Sequence, residues 1–108
     1  MKWTVETLNA VVDAELNELP ADMRARFYYT AQLIEEFGLE RVREPHVKHL
    51  RGALWEMRMK GRDGISRALY VTAVGRRVVV VRVFVKKTQK TPSREIDLAL
   101  KRAKEIER

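Results

Sequence analysis

The segment VVRVFVKKTQKTP, residues 80–92, begins as an apolar β-strand and then gains charged and aromatic side chains on one face. Successive side chains of a strand point to opposite faces, so we expect the valines at positions 79, 81, 83 and 85 to face the core. The other face would carry Val80, Arg82, Phe84 and Lys86. A guanidinium, an aromatic ring and an ammonium in one row could bind an anionic ligand that also has bases to stack on the ring. The alternative interpretation is an ordinary half-exposed strand whose charges are solvated.

Two more strands are predicted before this one. In residues 54–60, Trp55, Met57 and Met59 alternate with charged residues and are expected to lie in the core, and residues 61–64 form a glycine-containing turn. A strand over residues 66–74 and a tight turn at Gly75-Arg76 lead into the strand over residues 77–86. The sequence therefore predicts a three-stranded antiparallel meander.

The first 40 residues predict a strand followed by a helical hairpin. Trp3 and Val5 alternate with polar residues at the start of the chain. Asn9 can cap a first helix, Pro20 can end it and open a second, and Gly38 can end the second. The helices would share apolar stripes made of Val12, Leu16, Leu19, Met23, Phe27, Ala31 and Ile34.

A further helix is expected after the last strand. Thr91 suits its N-cap and Pro92 its first position. An apolar stripe indicates packing or partner binding for this helix and contains Ile96, Ala99, Leu100, Ala103 and Ile106. The prediction is one α+β domain over residues 1–108: an N-terminal strand, a helical hairpin, a three-stranded antiparallel meander and a C-terminal helix.

Charge is distributed unevenly along the chain. The sequence has 22 basic and 15 acidic residues, a formal net charge of +7. Residues 1–40 have three basic and eight acidic residues, a net −5, whereas residues 41–108 have 19 basic and seven acidic residues, a net +12. A basic field confined to one region favours a nucleic-acid partner over an evenly solvated surface.

Several classes of site are disfavoured. The chain has no cysteine, so disulfides, cysteine nucleophiles and thiolate metal sites are excluded. His46 and His49 are not accompanied by a carboxylate cluster, so we expect no metal. No apolar run approaches the roughly 20 residues that cross a bilayer, and no signal-peptide pattern is present, so we expect a cytoplasmic protein without a membrane partner.

Arg67 and His49 are the residues whose roles the pattern leaves open. Arg67 lies among apolar strand residues, where an unpaired guanidinium is costly. It is expected either to turn toward the polar face through a bulge or to pair with a group such as Glu56. His49 could be a general acid or base, or a surface histidine without a role. Tyr28 and Tyr29 are expected to be core or interface residues.

Three sequence blocks resemble the phage-derived, HigB-like branch of the RelE/ParE toxin superfamily. They are LWEMR at residues 54–58, RALY at residues 67–70, and FVKKTQKTP at residues 84–92 followed by Glu95-Ile96 and Ala99. The resemblance covers most of residues 1–107. The superfamily fold is a twisted antiparallel sheet with a helical hairpin and a C-terminal helix, which agrees with the order of elements predicted above.

The resemblance implies the toxin of a type II toxin–antitoxin pair. Such a toxin is an endoribonuclease that cleaves mRNA on the ribosome without a metal or cofactor, by attack of the 2′-hydroxyl on the adjacent phosphate. The reaction needs a base, stabilisation of the charge on the phosphorane, and an acid for the leaving oxygen. The implied protein partner is an antitoxin with a helix-turn-helix domain.

The resemblance and the chemistry of the neighbouring residues together give the candidate site residues. The catalytic set would be Arg58, Arg67, Arg82, Lys86, His49 and Glu56. The RNA-binding set would be Phe84, Lys87, Lys48, Lys60 and Lys90. In this mapping the three arginines hold the scissile phosphate, Phe84 positions a base, and Glu56 orients an arginine or acts as the base. Lys86 and Lys87 contact the RNA backbone or transfer protons.

One departure from the superfamily pattern concerns the general acid. Several relatives have a tyrosine near the end of the catalytic strand or in the tail, and none follows Tyr70 in this sequence. His49 and Lys86 are therefore the candidate acids.

Two other functions are compatible with the sequence. The superfamily includes DNA-gyrase inhibitors that share the fold without being nucleases, so the fold does not select the activity. A noncatalytic protein could use the same basic face to bind RNA or the ribosome. The arginine-rich strand face favours the nuclease. Analysis of RNA product ends separates the RNA binder from the nuclease, and a gyrase supercoiling assay separates the gyrase inhibitor.

Overall fold

The structure is a computed structural model, and it describes residues 2–42, 46–87 and 89–106. Thr88, within the third sequence block, lies outside the described residues. The elements in chain order are β1 (Thr4–Thr7), α1 (Ala10–Asn17), α2 (Ala21–Phe37), a 3-10 helix (Leu39–Arg41), β2 (Val47–Arg51), β3 (Leu54–Gly61), β4 (Gly64–Ala73), β5 (Arg77–Lys86) and α3 (Ser93–Ala103).

The strands form one sheet in the order β1-β5-β4-β3-β2. The strand β1 runs parallel to β5, and the other neighbours are antiparallel. The predicted α+β class, N-terminal strand, helical hairpin, meander and C-terminal helix are confirmed. The sequence prediction missed β2, which pairs with β3 through Val47 and Met57.

Each face of the sheet is covered by helices. The hairpin face, which packs against α1 and α2, contributes Met57, Met59, Ala68, Tyr70, Val78, Val80 and Val83 to one buried cluster. The α3 face, which packs against α3, contributes Leu54, Leu69, Val71, Val79 and Val81 to a second cluster. Because both faces are covered, β4 and β5 are apolar over much of their length.

A β-bulge in β5 changes which residues face the hairpin. Val80 pairs with Tyr70, but Arg82 pairs with the residue just before Tyr70, so Val81 is the extra residue. Val81 therefore lies in the α3-face cluster and Val83 in the hairpin-face cluster. The prediction that the odd-numbered valines share one face is wrong, and Val80, expected on the polar face, is buried against the hairpin.

Side chains form hydrogen bonds with the backbone groups at the outer edge of β5, beyond the point where the neighbouring strand β1 ends at Thr7. The Val83 amide donates to a carboxylate oxygen of Glu15 at 3.0 Å. The Arg102 guanidinium donates to the Val81 carbonyl at 2.9 Å. Residues from α1 and α3 thus replace the backbone partners that β1 no longer provides.

The ends of the hairpin helices follow the prediction. The Val12 amide donates to the side-chain oxygen of Asn9 at 3.1 Å, which confirms Asn9 as the N-cap of α1. Gly38 follows α2 with a φ of 91°, a backbone conformation that favours glycine.

The start of α3 differs from the prediction. The helix begins at Ser93 with Pro92 as its N-cap residue, and no side chain caps it. Thr91 is therefore not the N-cap, because its hydroxyl donates to a distant carboxylate instead. The apolar stripe of α3 packs on the sheet through Ile96, Ala99 and Ala103. None of the described helices is long and apolar enough to cross a membrane.

Candidate functional site

A cleft lined by basic side chains lies on the α3 face, beside the ends of β3, β4 and β5. Its volume is about 520 Å³. Its lining residues are Arg26, His46, Lys48, Arg58, Lys60, Ile65, Arg67, Lys86 and Gln89. We call this feature the basic cleft.

Strand register brings the cationic residues of the basic cleft together. Arg58 of β3 is the cross-strand partner of Arg67 in β4, and Lys60 and Lys86 are both partners of Ile65. Cross-strand partners project from the same face of a sheet, so these side chains share the α3 face. Clustering cations in this way is costly unless anions neutralise them.

A buried carboxylate lies beneath the arginines. The Glu56 side chain pairs with the Arg67 guanidinium, and the two residues are 1% and 4% exposed. The Arg58 Nε atom lies 3.7 Å from the same Glu56 oxygen. The Thr91 hydroxyl donates to the other Glu56 oxygen at 2.8 Å. Of the two arrangements predicted for Arg67, pairing with Glu56 is confirmed.

The position of Glu56 bears on its two predicted roles. Its carboxylate is buried and already accepts from Arg67 and Thr91. A general base must reach the proton that it removes. The geometry therefore fits orientation of the arginines better than proton abstraction from a substrate. Within the described residues, the Nε atoms of Arg58 and Arg67 are buried without a hydrogen-bond acceptor.

Lys86 differs electrostatically from a surface lysine. Burial lowers its pKa, and the positive charges of Arg67, Arg58 and Lys48 lower it further, against an opposing effect of Glu56. Its ammonium group donates to the Gln89 carbonyl. A lysine with a lowered pKa suits proton transfer, so the geometry is compatible with the predicted role of Lys86.

Arg82 and Phe84 do not line the basic cleft. The register places both on the same face as Lys86, as predicted. However, the Arg82 guanidinium donates to Glu95 at 2.6 and 3.2 Å and lies 2.8 Å from Glu15. The pKa of Arg82 is raised, mainly because of the hydrogen bond to Glu95. Its charge is compensated in this network, which links α1 and α3 to β5. The ring of Phe84 lies 5.7 Å from the guanidinium carbon of Arg82.

The structure separates His49 from the basic cleft. The His49 ring makes an edge contact with Trp55, with centroids 5.1 Å apart, and its Nε2 lies 2.7 Å from the Gly52 carbonyl oxygen. Both rings line a different pocket, of about 670 Å³, together with Tyr70 of the hairpin-face cluster. Trp55 is 38% exposed, so its predicted core position is wrong.

His46 is the histidine that lines the basic cleft, and its backbone carbonyl accepts from the Arg58 amide at 2.8 Å. The sequence prediction considered His46 only as a metal ligand. Its spacing of two residues from Lys48 could have placed it on the cleft side, because alternate residues of an extended segment share a face. Imidazole is a common general acid and base, so His46 joins Lys86 as a candidate.

Three of the four remaining predicted RNA-binding residues line the basic cleft or a depression that adjoins it. Lys48 and Lys60 line it directly. Lys87 lines an adjoining depression with Lys86 and Gln89. Lys90 is exposed beyond the lining residues. Across the ranges 2–42, 46–87 and 89–106, no three histidine, aspartate or glutamate side chains are grouped to hold a metal ion.

The fold is that of the RelE toxins. A double arginine-to-alanine variant of Escherichia coli toxin RelE in the free state aligns with a TM-score of 0.66 and 20% identity, covering 94% of this chain and 98% of that chain. RelE from the archaeal RelE-RelB complex of Pyrococcus horikoshii OT3 aligns with a TM-score of 0.56 and 21% identity, covering 79% and 96%. At these identities, the similarity establishes the fold alone.

The sequence profile of the phage-derived protein Gp49-like family matches residues 14–104. This chain therefore belongs to the Gp49-like family. The predicted likeness to phage-derived proteins and the predicted RelE-like fold are confirmed. A search of curated protein sequences finds no match.

Proposed function

We propose that this chain is the toxin of a type II toxin–antitoxin pair and that it cleaves mRNA on ribosomes in the cytoplasm. The observation that carries the proposal is the basic cleft, which is lined by six cationic side chains, two of them beside the buried Glu56 carboxylate. Phosphates bind guanidinium and ammonium groups, and an RNA backbone supplies several in a row. The RelE fold supports the toxin class.

The chemistry that fits the basic cleft is transesterification within RNA. The 2′-oxygen bonds to phosphorus, the bond from phosphorus to the next 5′-oxygen breaks, and the products are a 2′,3′-cyclic phosphate and a 5′-hydroxyl. The attacking hydroxyl loses a proton and the leaving oxygen gains one. Arg58 faces the cleft and would stabilise the negative charge on the phosphorane. Arg67 is more deeply buried at the cleft and would add its positive charge to the same stabilisation.

Proton transfer would then fall to residues that reach the cleft. Lys86, with its lowered pKa, is the first candidate for the acid, and His46 is the second. Glu56 would hold Arg67 and Arg58 in place. The ribosome would supply part of the positioning of the substrate, so cleavage of naked RNA is expected to be weak.

The partner proposed for control is an antitoxin with a helix-turn-helix domain, encoded beside this chain. The archaeal RelE of similar fold was solved with RelB. An acidic segment of the antitoxin could cover the basic cleft and block entry to the ribosome. Co-expression of the neighbouring reading frame should restore growth, and the two proteins should purify together. Rescue without a physical complex would contradict direct binding.

A noncatalytic RNA- or ribosome-binding protein is the second candidate. The observation that favours it is the position of His49, a predicted acid, whose ring contacts Trp55 away from the basic cleft. A cleft that binds phosphate without a competent acid and base would hold RNA without cutting it. Cation-driven binding would then fall steeply with salt concentration.

The decisive experiment is to induce the protein in a bacterium and map new 5′ ends on mRNA. A nuclease predicts cuts with 5′-hydroxyl ends in translated regions, and Arg58→Ala should lose them. Arg77→Ala is the matched control, because Arg77 pairs with Glu6 at the opposite end of β5. Translation arrest with intact transcripts would contradict the nuclease and support the binder, whereas loss of supercoiling by gyrase would indicate the gyrase inhibitor.

A further inference from the structure

Arg26 reaches the basic cleft from the acidic half of the chain. It is one of three basic residues among residues 1–40, and it lies on α2, which packs against the hairpin face. Nevertheless, its side chain lines the cleft on the α3 face. It must therefore extend around an edge of the sheet.

Close packing of α2 against the end of β3 explains how the Arg26 side chain reaches the basic cleft. The Asp22 carboxylate accepts the Arg62 amide at 2.6 Å, so the first turn of α2 lies against the β3–β4 turn. A Cβ atom at Gly61 would meet Met23 at 2.7 Å. The strand β2 pairs with β3 only as far as Met57, which leaves the last residues of β3 uncovered by β2. Arg26 lies one helical turn after Asp22, near this part of the edge, and its side chain lines the cleft.

Tyr29 accompanies Arg26 on the exposed side of α2. The Arg26 guanidinium carbon lies 5.5 Å from the centroid of the Tyr29 ring, and Tyr29 is 49% exposed. Among the described residues, Arg26 makes no ion pair. By contrast, the neighbouring Tyr28 is 55% exposed and makes an edge contact with Phe27. Both tyrosines are therefore exposed, so the core alternative predicted for them is wrong and the interface alternative stays a prediction. Only Tyr29 contacts a cation that lines the cleft.

We propose that Arg26 and Tyr29 form a nucleotide-binding subsite next to the phosphate position in the basic cleft. Tyr29 would stack on the base of a flanking nucleotide in single-stranded RNA, and Arg26 would contact the phosphate of that nucleotide. The proposal rests on RNA binding by the cleft. Aromatic rings beside a cationic track are the usual means of holding single strands without sequence preference.

RNA accounts for this arrangement better than an acidic peptide does. An acidic peptide would use the six cations of the lining, but it would give no reason for an exposed ring stacked beside one of them. A nucleotide uses both groups, because its phosphate pairs with Arg26 and its base with Tyr29. The two ligands therefore differ in their dependence on Tyr29.

The test uses the full chain and a short oligoribonucleotide with 2′-O-methyl groups, which can bind but cannot be cut. Tyr29→Leu should weaken binding roughly tenfold, the scale of one base stacked on a ring. Tyr29→Phe should bind like the original protein because the ring remains. Tyr28→Leu is the matched control and should leave the affinity unchanged. Arg26→Ala should lower the salt dependence of the binding affinity by about one phosphate contact. Arg24→Ala is the control and should leave it unchanged, because the Arg24 guanidinium donates to the Asn17 carbonyl at 2.9 Å and does not line the cleft.

A second oligonucleotide with abasic sites tests the stacking itself. If Tyr29 stacks on a base, the difference between Tyr29→Leu and the original protein should disappear on the abasic strand. Equal affinity of these two proteins for the intact strand would overturn the subsite. The subsite would also be overturned if Tyr29→Leu weakened binding to polyglutamate as much as it weakened binding to RNA. That result would instead indicate an acidic protein partner. If RNA binding depends on Tyr29 but the original protein leaves cellular mRNA intact, the subsite is supported and the proposed nuclease activity is contradicted.

Discussion

The Thr91 hydroxyl donates to a buried oxygen of Glu56 at 2.8 Å, across 35 residues of sequence. We predict that Thr91→Val, which keeps the shape but removes the donor, lowers the free energy of unfolding by about 1–3 kcal/mol, because a buried carboxylate oxygen loses its partner. Denaturation in urea measures the loss. Thr91→Ser is the control and should recover most of it. Equal stability of the valine variant would show that this hydrogen bond contributes nothing.

Arg82→Ala is expected to act mainly on stability. Removing Arg82 leaves Glu95 without its guanidinium partner, whereas Glu15 keeps Arg102 at 2.9 Å. We predict a loss of about 1–3 kcal/mol in the free energy of unfolding. Arg77→Ala removes an exposed pair at the other end of β5 and should cost less than about 1 kcal/mol. A fully stable Arg82→Ala protein without RNA cleavage would instead support the catalytic role assigned by resemblance.

Lys86→Arg separates charge from proton transfer. The lowered pKa of Lys86 means that it loses its proton at a lower pH than an ordinary lysine. If it is the general acid, cleavage on programmed ribosomes should fall as the pH rises through that pKa. The arginine variant stays charged, so it should be slower at neutral pH and lack this alkaline decrease. An unchanged pH profile in the variant would remove Lys86 from proton transfer.

Asp22→Asn should reduce stability in a pH-dependent way. Acceptance of the Arg62 amide is the main cause that lowers the pKa of Asp22 from its ordinary 3.8. A carboxyl group with a lowered folded-state pKa stabilises the fold above its ordinary pKa, and this contribution is lost as the pH falls through the folded value. The melting temperature of the variant should therefore be lower at neutral pH and converge with the original in acid. A constant difference across that range would contradict the linkage.

Local patterns predicted most of the elements but not the faces of β5. Alternation, turn residues and the Asn9 cap are local signals, and they located the meander and the helical hairpin. The bulge at Val81 is not local, because its register depends on β4 and its edge groups are satisfied by Glu15 and Arg102. One extra residue reverses the facing of every residue that follows.

The candidate site was predictable only in part, for the same reason. Resemblance and alternation grouped Arg58, Arg67 and Lys86, which the structure brings together. These sequence signals could not reveal that Arg82 is paired with two glutamates from separate helices. Nor could a pattern in α2 show that Arg26 extends around the edge of the sheet. Such contacts join residues far apart in sequence, so they require the three-dimensional fold.

The parallel pairing of β1 with β5 has a consequence for synthesis of the chain. The register joins Thr4 to Arg77, so the N-terminal strand lacks its sheet partner until more than two thirds of the chain has been made. The basic cleft additionally needs Lys86, and its buried Glu56 needs Thr91. Contacts of such long sequence separation form late and slowly. A nascent chain that has not yet reached Thr91 therefore lacks the assembled cleft.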